Sequence, residues 1–434
     1  MGGEYLIVFI FILFIGLLAA GMSVPFAILL PGVVYLYLVG GIPALHGLGL
    51  TSWGSMDSYT LTSIPLFVLM AEILQGSGLG MRVYSGLSQL VRKVPGGLLQ
   101  TNIAGCAVFA AVSGSSIATA ASIGKVALPQ LKARNYDVRL ATGSLAAGGT
   151  LGILIPPSIA MIVYATFTET SVAKLFMAGV VPGILLTLLF MAYVAVAAIL
   201  RPEIAPRETG KLTRPMVLRA LVDIVPFLLL ILGIMGAIYT GVATPTEAAA
   251  AGCIFALVIA LLFGELSWRE FLACLKRSTL AVSNILFITY AAFIFSYAMS
   301  YAGVGEEITK FIIGLNLSKA GFFLALLILF TALGALVESL GMIVITVPLL
   351  YPLLAPYGID PVWFGIIVVV FIEMGQITPP IGINLFVIQS IARGNLSDVV
   401  MGTIPFHLLM FVLLGMLVVW PEIALWLPNQ ISGR

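Results

Sequence analysis

The chain has 434 residues, enough for two or three soluble domains, yet only 9% of it is charged and 61% is apolar, with a mean hydropathy of +1.16. Twenty Lys and Arg against eighteen Asp and Glu leave a net charge of +2, so there is no basic field to hold nucleic acid. Disordered chains are poor in these apolar residues, so the composition requires a lipid bilayer as solvent for most of the chain.

A bilayer core of about 30 Å needs about 20 apolar residues per helix. In chain order the first half predicts spans at roughly 5–21, 24–40 and 61–77, an apolar stretch at 98–131, and spans at 139–168 and 175–200. The second half predicts spans at roughly 221–240, 246–264 and 279–301, a stretch at 320–354, and spans at 362–392 and 402–427. The N-terminus lacks a basic n-region, so its apolar run reads as a retained first span rather than a cleaved signal. The stretches 98–131 and 320–354 break at polar tips, Ser113-Gly-Ser-Ser116 and Glu338-Ser339. Their arms of about 15 residues are short for full crossings, so both read as re-entrant hairpins.

Placing the N-terminus outside puts the basic clusters on one side. Those clusters are Arg82, Arg92 and Lys93; Lys132, Arg134 and Arg139; Arg201 to Arg219; Arg269, Lys276 and Arg277; and Arg393. The loops then outside, 41–60, 169–174, 241–245, 302–319 and 355–361, hold only Lys174, Lys310 and Lys319.

The hydrophilic stretch 201–219 divides the chain into repeats at 1–200 and 220–434, each of five spans and a hairpin. Five crossings is an odd number, so the second repeat is expected to be inverted. Gly21-x3-Pro25-x6-Gly32 recurs as Gly241-x3-Pro245-x6-Gly252, and Gly152-x3-Pro156-Pro157 as Gly375-x3-Pro379-Pro380. At the second offset Ser116, Pro129 and Asp137 fall on Ser339, Pro352 and Asp360. Proline cannot donate to the i−4 carbonyl, and its ring clashes there, so each Pro-Pro pair breaks its span. Unsatisfied backbone at membrane depth is tolerated only inside protein or facing a wet cavity. Freed carbonyls can coordinate Na⁺ and half-helix N-termini can face an anion, which points to a secondary transporter with its site near the midplane. The expected fold class is thus an all-α integral membrane protein, an inverted repeat with two broken helices.

Ser113–Ser116 with Ala118-Thr-Ala120, Gly148–Ser158 and Glu373–Val387 together resemble the large membrane subunit of tripartite ATP-independent periplasmic (TRAP) transporters. The resemblance covers essentially the whole chain. It implies an Na⁺-driven importer of an organic anion (a C4-dicarboxylate, a sialic acid or a related carboxylate) in the bacterial inner membrane. It further implies an elevator mechanism, a periplasmic substrate-binding protein and a separate four-helix small membrane subunit. By the same resemblance Ser113, Ser115, Ser116, Gly149 and Gly152 form one sodium site, and Ser339, Gly341, Gly375 and Thr378 the other. Ser113, Ser158, Glu338 and Asn384 would line the substrate pocket.

Glu72, Glu338 and Glu373 are ionisable at membrane depth, and of these Glu338 and Glu373 are functional candidates while Glu72 suits a structural pairing. Lys125 is expected to snorkel to the cytoplasmic surface, with a substrate role open. Asp137 and Asp360 suit helix N-caps, and Trp53, Trp268, Trp363, Trp420 and Trp426 suit interfacial anchors. Cys106, Cys253 and Cys274 read as small buried hydrophobes, and His46 and His407 are too few for a metal cluster. Alternatives are a binding-protein-independent sodium/carboxylate symporter, a channel, and an intramembrane enzyme. The enzyme reading lacks a base beside Ser113, and no phosphate-binding loop supports an ATP-driven pump.

Overall fold

The computed structural model describes residues 3–206, 213–301, 303–334 and 336–431, and the linker residues Arg207 and Lys211 lie outside them. The first half forms helices α1 (Gly3–Ala19), α2 (Val24–Met56), α3 (Ser63–Gly76), α4 (Leu79–Leu90), α5 (Leu98–Ser113), α6 (Ser116–Ala133), α7 (Val138–Leu154), α8 (Ile159–Thr168) and α9 (Val172–Leu200). The second forms α10 (Arg214–Tyr239), α11 (Pro245–Phe263), α12 (Trp268–Tyr301), α13 (Val304–Gly314), α14 (Lys319–Gly334), α15 (Ser339–Leu350), α16 (Pro361–Gln376), α17 (Ile383–Ala392), α18 (Leu396–Val419) and α19 (Glu422–Ile431). The described residues contain no strand. That follows from the solvent, since a helix satisfies its backbone internally wherever it meets lipid.

The helix starts are set by local chemistry. Asp137 accepts the amide of Leu140 at 2.8 Å, and Asp360 accepts those of Val362 and Trp363 at 2.8 and 3.0 Å. Thr244 and Glu247 form a reciprocal capping box at the start of α11, with Pro245 in the first turn. Element order and turn conformation recur between the halves. Gly21 and Gly241 lie in the left-handed region, as do Gly78 before α4 and Gly303 before α13. Glu169 and Arg393, at the ends of α8 and α17, take φ of 52° and 51°.

Among the described residues six helices are long and apolar enough to cross a membrane, α2, α9, α10, α11, α12 and α18. The other expected spans are α1 and α3, of 17 and 14 residues, and two interrupted pairs, α7 with α8 and α16 with α17. α3 and α4 bend by 70° and α7 and α8 by 40°, while α16 and α17 are separated by residues 377–382. The span boundaries correct the sequence reading in three places. The stretch 41–60 is not a loop but continues α2 to Met56 through a kink at Gly41, whose φ is 60°. α12 begins at Trp268 rather than 279, so Lys276 and Arg277 lie within a helix. The segment 302–319 carries α13.

Packing divides the helices into two groups. α2 lies against α12, α11 against α3, α10 against α4 and α11, and α1 against α2. In the second group α7 is surrounded by α5, α6, α9, α16, α17 and α18, with α14 on α16, α15 on α8 and α19 on α9. α7 and α16 are buried along nearly their whole lengths, whereas α10 and α11 turn Leu229, Leu232, Ile254 and Leu261 outward. Ring pairs Phe67–Phe176, Phe109–Phe227 and Phe167–Phe293 join the two groups. A hydrogen bond of 2.9 Å from the Ser122 hydroxyl to Gln75 Oε1 joins them too.

The interfacial tryptophans divide. Trp53, Trp268, Trp420 and Trp426 are exposed, but Trp363 is buried and donates its ring N–H to the Leu417 carbonyl at 2.9 Å. Trp363 is therefore a core residue: it follows Asp360 at the start of α16, which the second group surrounds.

Candidate functional site

Both expected helix breaks exist. α7 stops at Leu154 and α8 starts at Ile159, and α16 stops at Gln376 and α17 starts at Ile383. Each Pro-Pro pair occupies the gap, and each gap faces the tip of the hairpin in its own half. Gly152 makes the first approach possible: a Cβ there would lie 2.5 Å from the Ser115 carbonyl oxygen. At the second, a Cβ on Gly334 would lie 2.5 Å from the Gly375 Cα.

The first tip is densely bonded. Ser113 and Thr119 share a hydroxyl–hydroxyl contact of 2.5 Å, and the Ser113 hydroxyl also donates to the Ser115 carbonyl at 3.2 Å. The Ser115 side chain caps α6 by accepting the Ala118 amide, and the Ile159 amide donates to the Gly114 carbonyl. Ser116 reaches the other half, donating to Gln376 Oε1 at 2.6 Å and to Asn384 Oδ1 at 3.4 Å. Gly149 packs on Ala120.

The second tip is sparser. Glu338 caps α15 by position but makes no side-chain cap bond, and Leu336 beside it is exposed. Gly341 packs against Val337 and Val24. The Thr378 hydroxyl donates back to the Met374 carbonyl at 2.6 Å.

A cavity of about 180 Å³ opens between the tips. Its walls are Ser113, Gly114, Ser115, Ile117 and Ala118 of the first tip, Glu338 to Leu340 of the second, and Ile153, Ile159 and Ala160 at the first break. The opposite wall comes from the other packing group: Val68, Ala71, Glu72 and Gln75 on α3, and Ala281, Asn284 and Ile285 on α12. Glu72 pairs with Arg277 of α12 at 2.8 Å, the structural partnership expected of it.

Of the expected substrate residues, Ser113 and Glu338 line the cavity and two do not. Ser158 is fully buried and donates to the Ile153 carbonyl at 2.7 Å, so its hydroxyl serves the broken helix end. Asn384 is fully buried with Ser116 and the Ala146 carbonyl. Of the sodium residues, Ser113, Ser115 and Ser339 lie on the cavity wall, and Gly152 and Gly375 sit at the tip–break contacts. Gly149 packs on Ala120, Ser116 turns to Gln376 and Asn384, Gly341 packs against Val337 and Val24, and Thr378 bonds back to Met374. Sequence reading passed over Gln75, Thr119, Asn284 and Gln376. Gln376 had a signal: with Glu373 it forms an i, i+3 polar pair in an otherwise apolar helix. Lys125 is exposed on α6.

Two helical hairpins, two broken helices and a cavity between the hairpin tips define a multi-pass membrane protein. The comparisons with known proteins agree. The family model described as "Tripartite ATP-independent periplasmic transporter, DctM component" matches residues 11–423. The C4-dicarboxylate TRAP transporter large permease protein DctM of Pseudomonas aeruginosa is 34% identical over 395 residues, covering 90% of this chain and 91% of that relative. The isethionate TRAP transporter permease protein DctMQ of Oleidesulfovibrio alaskensis is 31% identical over 418 residues, covering 91% of this chain and 65% of that protein. Among solved structures, the YdaH transporter of Alcanivorax borkumensis shares the fold, with a TM-score of 0.66 at 14% identity over 92% of this chain and 98% of that one. This chain belongs to the DctM family, the large permeases of TRAP transporters. Its relatives are transport permeases rather than enzymes, which sets the intramembrane-enzyme reading aside.

Proposed function

We propose that the chain imports an organic anion across the bacterial inner membrane, driven by Na⁺, with a periplasmic binding protein delivering the substrate. The observation that carries this reading is the single cavity bounded by both hairpin tips, each tip against a broken helix. Unwound carbonyls beside Ser113–Ser116 with Gly149 and Gly152, and beside Ser339 and Gly341 with Gly375 and Thr378, are suited to two sodium ions. The two halves run in opposite directions, with both termini periplasmic. Substrate occupies the cavity against Ser113, Glu338 and Asn284. Its modest volume suits a four-carbon diacid better than a nine-carbon sugar acid. Glu338 tolerates an anion there because the two cations offset its charge.

The two packing groups give the elevator its parts: α5–α9 with α14–α19 move against α1–α3 and α10–α12. α9 and α18 pack on α7 and travel with it. In chain order α4 and α13 connect the groups. A four-helix small subunit completes the complex, and the fused relative's name, DctMQ, fits that partnership.

The test is uptake of radiolabelled succinate by liposomes holding this chain and its small subunit, with the loaded binding protein outside. Uptake is expected only with an inward Na⁺ gradient. Transport that is indifferent to that gradient overturns sodium coupling, and transport without the binding protein overturns that partnership.

A further inference from the structure

The fully buried carboxyl of Glu373 has no hydrogen-bond partner on either oxygen. It lies on α16, one turn before Gln376, so both side chains project from one face. The Gln376 Nε2 lacks a partner as well, so it does not serve Glu373. Around Gln376 Oε1 the donors are scarce. The Ser116 hydroxyl is directed at both Gln376 Oε1 and Asn384 Oδ1, and Asn384 Nδ2 points to the Ala146 carbonyl. One hydroxyl proton thus faces two amide oxygens and, one turn away, two unserved carboxylate oxygens. A bare carboxylate in a dry interior is costly, and buried charges are paired or bind metal ions.

We propose that Glu373, Gln376, Ser116 and Asn384 form a binding site for a monovalent cation, Na⁺ in the cell, additional to the two sites at the tip–break contacts. Glu373 supplies the single negative charge that matches one monovalent ion, and the amide and hydroxyl oxygens are the neutral ligands that hard cations prefer. The site lies between elements of both halves: Ser116 comes from α6, and the other three from α16 and α17. Occupancy would hold the first hairpin to the second broken helix.

The experiment uses the purified full chain with its small subunit, titrated with NaCl against choline chloride at constant ionic strength. For wild type the melting midpoint rises with log[Na⁺]. In Glu373→Gln that slope falls by about one third, as expected when three linked sites become two. Equilibrium binding of ²²Na⁺ falls by one ion per chain. The midpoint without Na⁺ rises, because the variant no longer buries an unpaired charge. If Glu373→Gln does not fold, Gln376→Ala removes one ligand and raises several-fold the Na⁺ concentration at which the third ion binds, without removing the charge. An unchanged slope and an unchanged ²²Na⁺ count overturn the proposal. So does a wild-type-to-variant difference that follows pH and ignores Na⁺, since the group bound is then a proton. If Na⁺ does not stabilise wild type at all, the sodium-driven reading falls with it. If Na⁺ stabilises both proteins equally, only this third site falls.

Discussion

The two tip–break units carry the same motif and are held differently. At the first, Pro156, Pro157 and Ser158 are buried, Ser158 closes the broken end of α7 and caps α8, and the tip is bonded to itself, to its break and to the other half. At the second, Pro379, Pro380 and Ile381 are exposed, α17 has Gly382 before its first residue and so no side-chain cap, and the Glu338 side chain makes no cap bond. The same Gly-x3-Pro-Pro motif therefore gives one sealed unit and one open unit. The difference lies in a few hydroxyls: Ser113, Thr119 and Ser158 on one side have as counterparts Leu336, Met342 and Ile381 on the other.

Substitutions can break or sharpen that contrast. The largest expected effect is common to both units, because both rest on glycine approaches. Gly152→Val and Gly375→Val each force a side chain into backbone already within contact distance, costing about 3 kcal/mol or more, and both are expected to lower the melting midpoint and abolish uptake. A Gly375→Val protein that melts like wild type would show that the second unit opens without cost. Next in size, Thr119→Val leaves the Ser113 hydroxyl without its short contact and is expected to cost about 1–3 kcal/mol by chemical denaturation. Ser339→Ala at the second tip is expected to stay within about 0.5 kcal/mol. Equal losses would erase the asymmetry. The mildest probe reads exposure rather than stability: Ile381→Cys is expected to react with N-ethylmaleimide, while Leu154→Cys resists, since Ile381 is 40% exposed and Leu154 fully buried. The native background is low, with Cys106 and Cys274 buried and Cys253 half-buried.

The breaks and tips were legible in the sequence because their cause is local. A Pro-Pro pair ends a helix whatever surrounds it, and a serine or glutamate cluster in a 30-residue apolar run has few other uses. Asp137 and Asp360 were legible as caps for the same reason. The kinked extension of α2 and the early start of α12 were not, because span scanning reads apolar runs and these helices continue through Gly41, Pro43, Lys276 and Arg277. Trp363 looked like an interfacial anchor because its neighbours in sequence say nothing of the helices packed around it. The bonding of Ser116 to Gln376, 260 residues apart, is a fact of tertiary packing alone. So is the withdrawal of Ser158 and Asn384 from the cavity wall, since burial decides which way a polar side chain can turn.

Ser122 and Gln75 meet across a boundary furnished with phenylalanine rings. One bond between neutral groups is worth about 1 kcal/mol, enough to mark a stopping point and too little to hold against a bound ion. In the proposed elevator it would serve as a detent on the stroke. A salt bridge in its place would be a latch, and the cargo would have to break it on every turnover.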